Sequence, residues 1–546
     1  MSNQKQTNKK HIKIFDTTLR DGQQCPGAGM SHSENIEYAQ LASLIKVDVL
    51  EAGFPAASEQ DHAIVSQIAR MYAQQNRSPK VAALSQLREA QVVQTIEALA
   101  PLAKTKRGIV HLYMPVAPEL MAASLGSYAN DKERILHDVE RLIQLAVTAG
   151  MDVEFSPEAY SQMGTHFDFT TDLISTAIAA GANTINCPDT IGRACYLQGD
   201  DYFVNHMNQH AAIMRERFPD RDITWSVHCH NDFGLALQNS MHAVFHGPAT
   251  QIEGCFNGIG ERAGNVALEQ CIMYLNAFGH SQPGQAYGTG CRAKHIRRIS
   301  DFVAQHMLPR QPHWPIGGDN AAKHSSGGHT NAILKDAHIY QPFNPSEVGQ
   351  QVSFLFGPLS GSNHAQSIIH KHGYVCEDHE RQAIMQFIKD HHKDRRKGLT
   401  DEEFMAAYKA YRQPIKVTQI GFERTGNKKH FAMQATVFGQ AEDINFICQD
   451  SDTATTALHE YLGQRFGSCE IQSYRSESKM PGRDAPAHAT ITVAAEGEYH
   501  QGKGQDHDIE TAALLALVDA YNQLLTARHY RHQPEPETHV AVGLRD

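Results

Sequence analysis

Ile12-Lys13-Ile14-Phe15-Asp16-Thr17-Thr18-Leu19-Arg20-Asp21-Gly22 starts as a short apolar run and passes directly into acids, hydroxyls and an arginine. Seven further runs follow: Val47 to Ala52, Val81 to Leu84, Gly108 to Tyr113, Met151 to Phe155, Thr184 to Cys187, Ile223 to Val227 and Gln251 to Cys255. Longer amphipathic stretches separate them at intervals of roughly 30 to 40 residues, the alternation of a parallel sheet with crossover helices. Eight such units are the number that closes a (β/α)8 TIM barrel, so an α/β fold is expected with the barrel in residues 1–290. Nearly every run also ends in polar, reactive side chains: Asp16 to Asp21, Glu51, Glu158, Asp189 and Thr190, His228 to Asp232, and Asn257 to Asn265. In a barrel these carboxyl ends converge on one face, where the loops build an active site.

Beyond residue 290 the rhythm changes. Residues 291–412 read as a mainly helical linker subdomain with a Gly- and His-rich loop, His324 to His329. Pro414 marks a boundary. In residues 415–528, strand-like runs (Lys416 to Phe422, His430 to Phe438) alternate with helices (Thr453 to Gly463, Glu510 to Leu525), an α+β module. The tail, 529–546, contains Pro534-Glu535-Pro536 and is expected to be poorly ordered.

Composition narrows the partners. A net charge of −11 leaves no basic footprint for nucleic acid or an anionic membrane. No apolar stretch approaches the roughly 18 residues of a membrane span, and Met1 to Lys10 lacks the apolar core of a secretory signal. Ten cysteines without a CxxC pair read as reduced thiols, and a cytoplasmic location is expected.

His228-Cys229-His230-Asn231-Asp232 places two imidazoles on one face of a strand. Alone, such a pair fits core histidines satisfied by backbone carbonyls as well as metal ligands. Asp21 adds a carboxylate after the first strand, beside strand eight in a closed barrel, although Asp-Gly is also a common turn. The three together suit a divalent ion acting as a Lewis acid. Arg20 fits either an ion pair with a neighbouring acid or a fixed cation for a developing oxyanion. Gly258-Ile259-Gly260-Glu261-Arg262-Ala263-Gly264-Asn265 matches no nucleotide-loop spacing, yet its glycines permit close approach of backbone to a ligand.

Taken in order, Asp16 to Gln24, Glu51-Ala52-Gly53-Phe54-Pro55, Glu154 to Glu158, Pro188-Asp189-Thr190, His228 to Asp232, Glu253 through Asn265, His324 to His329 and Tyr340 to Pro345 resemble the 2-isopropylmalate synthase family. That family lies within the Claisen-condensing branch of the metal-dependent TIM-barrel lyase superfamily. The resemblance implies Asp21, His228 and His230 as metal ligands with Asn265 close to the ion, which would be Mg2+ or Mn2+, or else Zn2+. It implies Arg20 on the keto oxygen or the enolate, Glu158 and Thr190 holding the 2-keto acid, and Glu261 near the thioester of acetyl-CoA, the co-substrate. His329 and Tyr340 resemble the family's catalytic pair, and a homodimer is implied. The C-terminal module, through Gly502 to Ile509, resembles the family's leucine-binding regulatory domain, so leucine is an implied effector.

Some tracts depart from the family. Gln449 to Thr453 replaces a glycine-proline tract, and Leu112 to Leu120 lacks the usual Thr, Ser and second His near the acceptor pocket. The implied acceptor is 3-methyl-2-oxobutanoate, with pyruvate or 2-oxoglutarate as the alternative. A retro-aldol lyase would carry a cysteine in the loop that here reads Glu261-Arg262. A non-catalytic sensor would not need Arg20, Asp21, His228 and His230 together.

Overall fold

The computed structural model describes residues 9–75, 78–281, 285–395, 397–425, 428–448, 453–478 and 485–531. The basic N-terminal stretch up to residue 8, the departure at Gln449 to Asp452 and the Pro534-Glu535-Pro536 tail lie outside the described residues. By its contacts the chain separates into two units: the chain to Ala322 with Gln341–Val352, and Lys323–Tyr340 with the chain from Ser353 onward.

The first unit is a closed parallel barrel of eight strands: β1 Lys13–Asp16, β2 Val49–Glu51, β3 Lys80–Gln86, β4 Gly108–Pro115, β5 Asp152–Glu158, β6 Thr184–Asp189, β7 Thr224–Cys229 and β8 Gln251–Gly254. Each expected run lies at one of these strands. β8 pairs back onto β1, Lys13 opposite Gln251, and so removes both sheet edges. Outside the barrel a short parallel pair, Lys9–His11 with Ala286–Gly288, joins the start of the chain to the end of the last barrel helix.

Local chemistry explains the crossover helices. Helix His32–Ile45 starts at Ser31, which forms a reciprocal capping box with Glu34. Helix Lys132–Thr148 buries Ile135, Val139, Leu142, Ile143 and Ala146, a stripe at helical spacing against the sheet. Inside the barrel Phe15, Val49, Ala82 and Ile109 form an apolar plug. Two residues further along the same strands stand Glu51 and His111, inward-facing by the two-residue period. The interior therefore turns from apolar to charged in one step along the strand.

In the second unit, helices Ser362–Lys371, Arg381–His391 and Asp401–Arg412 close over Phe356, Ile369, Ile384, Phe404 and Tyr408. Two antiparallel three-stranded sheets follow, Ile415–Thr425, Lys428–Val437 and Gln440–Cys448, then Glu470–Ser478, Ala487–Ala495 and Glu498–Asp506. Helices Ala454–Phe466 and Ile509–Tyr530 share one core with them. The last helix runs on to Tyr530, which packs against the helical core. Among the described residues no helix is long and apolar enough to cross a membrane.

The Gly502-Lys503-Gly504 tract has a packing cause. A Cβ at Gly502 would collide with the backbone of Ala516 and Ala520, and one at Gly504 with that of Ala512 and Ala516. The strand thus lies directly on helix Ile509–Tyr530 because two residues on its inner face have no side chain. Gly504→Ala is expected to destabilise this module by about 1 to 3 kcal/mol, the range for overpacking. Hydrogen exchange of the amides in 509–530 measures it, and unchanged exchange would contradict the packing argument.

Candidate active site

His228 is the penultimate residue of β7, and His230 follows just past the strand's end at Cys229, in an isolated bridge to Asn265. The two-residue period turns both imidazoles inward while Cys229 faces the core. Their Nε2 atoms are 3.2 Å apart. Nitrogens bound to one ion at about 2 Å each come to roughly 3 Å of one another, so this spacing suits a shared cation. Burial, reinforced by His228, lowers His230 to about 4, so its ring is neutral and offers a lone pair. Burial also works to lower His228, but the carboxylate of Glu253 overrides it and raises that imidazole.

Asp21 completes the group: one ligand atom from each of Asp21, His228 and His230 lies within 4.8 Å of the others. Burial works to raise its carboxyl, yet Arg20 and the two histidines hold it at about 2. Asn265 donates its amide to Asp21 Oδ1 at 2.6 Å and to the Ile259 carbonyl at 3.0 Å. Its Oδ1 stays buried without a hydrogen-bond partner among the described residues. A buried oxygen left unpaired is costly unless something meets it. One carboxylate, two imidazoles and an amide oxygen form a donor set that fits a divalent ion.

A second cluster, Glu51, His111 and Glu253, has similar spacing but already contains its cations. Arg20 donates Nε to Glu51 at 2.6 Å, Nη1 to Asp21 at 2.6 Å and Nη2 to Glu253 at 3.0 Å. His111 binds Glu51 through Nδ1 and Ser156 through Nε2, both at 2.7 Å. Asn186 donates to Ser156 at 3.0 Å and to Glu253 at 2.8 Å. Ser156, His111, Glu51, Arg20, Glu253 and Asn186 thus form a closed ring of side chains, contributed by six different strands or their ends. Burial works to lower His111, but Glu51 overrides it and raises the imidazole to about 9. Glu51 is held at about 2, burial being outweighed by Arg20 and His111.

Above the ring opens a cavity of about 250 Å³, lined by Arg20, Asp21, Glu158, Thr190, Glu261, His228 and His230 among others. Burial raises the carboxyl of Glu158, partly offset by Arg20. Thr190 accepts from the Ala159 amide through Oγ1 at 3.0 Å. Its carbonyl receives Arg262 Nη2 at 2.8 Å, while the same guanidinium grips Asp232 at 2.8 and 3.0 Å. One side chain therefore ties the loops after β6, β7 and β8 together. His329 and Tyr340 belong to the other unit, where their rings stack with centroids 3.9 Å apart.

The structure thus brings seven expected site residues to one cavity, sets Asn265 beside Asp21, and pairs His329 with Tyr340. Sequence reasoning missed His111, Ser156, Asn186, Glu253 and the clamp by Arg262. The available signal was polar residues inside otherwise apolar strand runs, as in Gly108-Ile109-Val110-His111-Leu112 and Gln251-Ile252-Glu253. A buried charge is tolerated only where it is paired, so such residues mark a network.

Residues 11–303 match the HMGL-like family, 316–397 the homocitrate synthase post-HMGL domain-like family, and 451–525 the LeuA allosteric (dimerisation) domain. A 2-isopropylmalate synthase of Afipia carboxidovorans is 32% identical, covering 98% of this chain and 99% of its own. The chain belongs to the 2-isopropylmalate synthase family. Other members are the 2-isopropylmalate synthases of Aromatoleum aromaticum, 33% identical over 94% of this chain and 98% of its own, and Caulobacter vibrioides, 30% identical over 98% and 97%. Within that family the barrel of this chain corresponds to the HMGL-like part, and its last sheet and helix to the LeuA domain.

Two outcomes are expected. Asp21→Asn weakens Mn2+ binding by more than about tenfold in a calorimetric titration, since it removes the only carboxylate of the donor set; unchanged affinity would move the ion elsewhere. A group raised from 6.5 to about 9 by folding contributes stability that is complete below pH 6.5 and lost as pH rises through 9. The melting-temperature gap between the parent and His111→Gln should therefore shrink from pH 6.5 to 9, and a constant gap would show that His111 is uncharged.

Proposed function

We propose that this chain condenses acetyl-CoA with 3-methyl-2-oxobutanoate and hydrolyses the thioester, releasing 2-isopropylmalate and CoA for leucine biosynthesis. The observation that carries it is the meeting of Asp21, His228 and His230 with Arg20 in one cavity, in a chain that matches 2-isopropylmalate synthases over nearly its full length. Glu261-Arg262 stands in the glycine-rich loop where a retro-aldol lyase would need a cysteine.

Asp21, His228, His230 and the free Oδ1 of Asn265 would hold a divalent ion, Mg2+ or Mn2+ before Zn2+, which supplies Lewis acidity toward the keto acid when bound. Arg20 has five N–H groups and commits three to carboxylates, so two remain for an oxygen on which charge develops. Because all three of its nitrogens are anchored, this cation is fixed before substrate arrives and loses nothing to reorganisation. Thr190, held by Arg262 and the Ala159 amide, orients the carboxylate of the acceptor. Glu158, whose carboxyl burial raises above its ordinary value, acts through a water with the partner subunit's His329 to take the proton from the acetyl methyl group. The methyl carbon then attacks the keto carbon, and water later cleaves the thioester. Tyr340, stacked on His329, steadies that imidazole and can return a proton to the new alkoxide. Glu261, on the exposed loop, sits with the thioester end.

The LeuA-type domain supports a homodimer with leucine as effector, and the unpaired cysteines suit the reducing cytoplasm. The deciding experiment follows CoA thiol release with acetyl-CoA and a panel of 2-keto acids, including pyruvate and 2-oxoglutarate, with and without divalent metal and leucine. Release is expected to be metal-dependent and greatest with 3-methyl-2-oxobutanoate; no release with any acceptor overturns the assignment. His329→Ala should lower kcat by about 100-fold or more, the contribution of a general base, and near-normal turnover would remove it from that role.

A further inference from the structure

Behind the glycine-rich loop lies a buried carboxylate that the condensation does not use. Glu269 is fully buried in the first turn of helix Leu268–Phe278. One of its oxygens accepts the indole N–H of Trp314 at 2.7 Å and the other accepts the backbone N–H of Asn257 at 3.1 Å. Asn257 is where the loop leaves the barrel, in a left-handed conformation with φ of +58°. Its side chain is fastened by a second element, donating to the Ser300 carbonyl at 2.8 Å and receiving the Ser300 hydroxyl. The Trp314 ring lies over Gly258, where an added Cβ would come within 3.3 Å of it.

From Gly258 the loop closes on itself toward the cation site. The Gly258 carbonyl accepts from the Asn265 amide at 2.9 Å, and the Ile259 carbonyl accepts from the Asn265 side chain at 3.0 Å. A Cβ at Gly260 would strike the Asn265 side-chain nitrogen, and one at Gly264 the Gly258 carbonyl. Asn265 can therefore reach Asp21 only while the start of the loop stays at its present height.

We propose that Glu269 and Trp314 act as one strut, positioning residues that set Asn257 and Gly258 so that Asn265 keeps its side-chain N–H on Asp21 and its oxygen free for the ion. Neither lines the cavity. Their effect passes through two backbone carbonyls to the donor set, and it reaches beyond the last barrel strand to residues 300 and 314. The strut rests on the cation site proposed above, and on the condensation only for its activity readout.

The test uses the full chain with Glu269→Gln, Trp314→Phe and the double variant. Trp314→Phe keeps a ring over Gly258 and deletes the N–H alone. Glu269→Gln keeps the shape but presents an NH2 group to one of two donors. Each single variant is expected to weaken Mn2+ binding by about tenfold, the lower end for residues that orient ligands from behind. The double variant should be no weaker than the poorer single one, because both break the same chain of contacts from Trp314 through Glu269 to Asn257. CoA release at limiting Mn2+ should fall in step and return at saturating Mn2+, a recovery that general damage to the fold would not give. Unchanged Mn2+ affinity in both single variants, or losses that multiply in the double one, overturns the strut. Should Glu269→Gln not fold, Trp314→Phe alone decides by the same Mn2+ titration. Failure of CoA release in the parent while Mn2+ affinities shift as expected would strike the condensation and leave the strut standing.

Discussion

The barrel interior is governed by one guanidinium. Arg20 is buried where isolation of a charge from water is most expensive, and Glu51, Asp21 and Glu253 hold it there. The dependence runs both ways: without Arg20 three carboxylates would face one another in a low dielectric, and without them the cation would be unpaired. Each acid also has a second duty. Glu51 holds His111, Glu253 reaches His228 and Asn186, and Asp21 receives Asn265. The ring and the cation site therefore share members, and neither can be rearranged alone.

That sharing gives the site its rigidity. Ser156, His111, Glu51, Glu253 and Asn186 come from strands of a closed barrel and Arg20 from the turn after β1, and the ladder allows little movement of one strand against the next. A side chain fixed at both ends by hydrogen bonds loses its freedom during folding, so less must be lost when a substrate binds. The neighbouring cluster of Glu51, His111 and Glu253 shows why spacing does not make a metal site. It has ligand-type atoms in range but is already neutralised by Arg20 and by a charged His111, whereas Asp21, His228 and His230 leave lone pairs and an unpaired amide oxygen.

The loops after β6, β7 and β8 are held differently. Only their tips are exposed, and side chains add to the backbone hydrogen bonds that already link them, such as Asn231 to Gly264 and His230 to Asp189. Arg262 spans Thr190 and Asp232 across the mouth, and Glu269 with Trp314 braces the glycine-rich loop from behind. Glycines at 260 and 264 are required because the loop folds back on Asn265 with no room for a Cβ. The glycine pattern in the sequence is thus a trace of close packing around the donor set.

Much of this was legible in the chain itself. Eight apolar runs, nearly all ending in reactive residues, determined the barrel and which face carries the site, because strand period and chain order are local properties. His228 and His230 could be paired by their two-residue spacing, and the order of motifs marked the family. The tertiary structure decided what depends on distance between strands: that His111 belongs with Glu51, that Arg20 is shared by three acids, that Asn265 keeps a free oxygen, and that Trp314 reaches back to Glu269. These partners are separated by tens to hundreds of residues, and no periodicity links them. The sequence could say that a charge stood inside a strand; only the closed barrel, by bringing strand one beside strand eight, decided what would neutralise it.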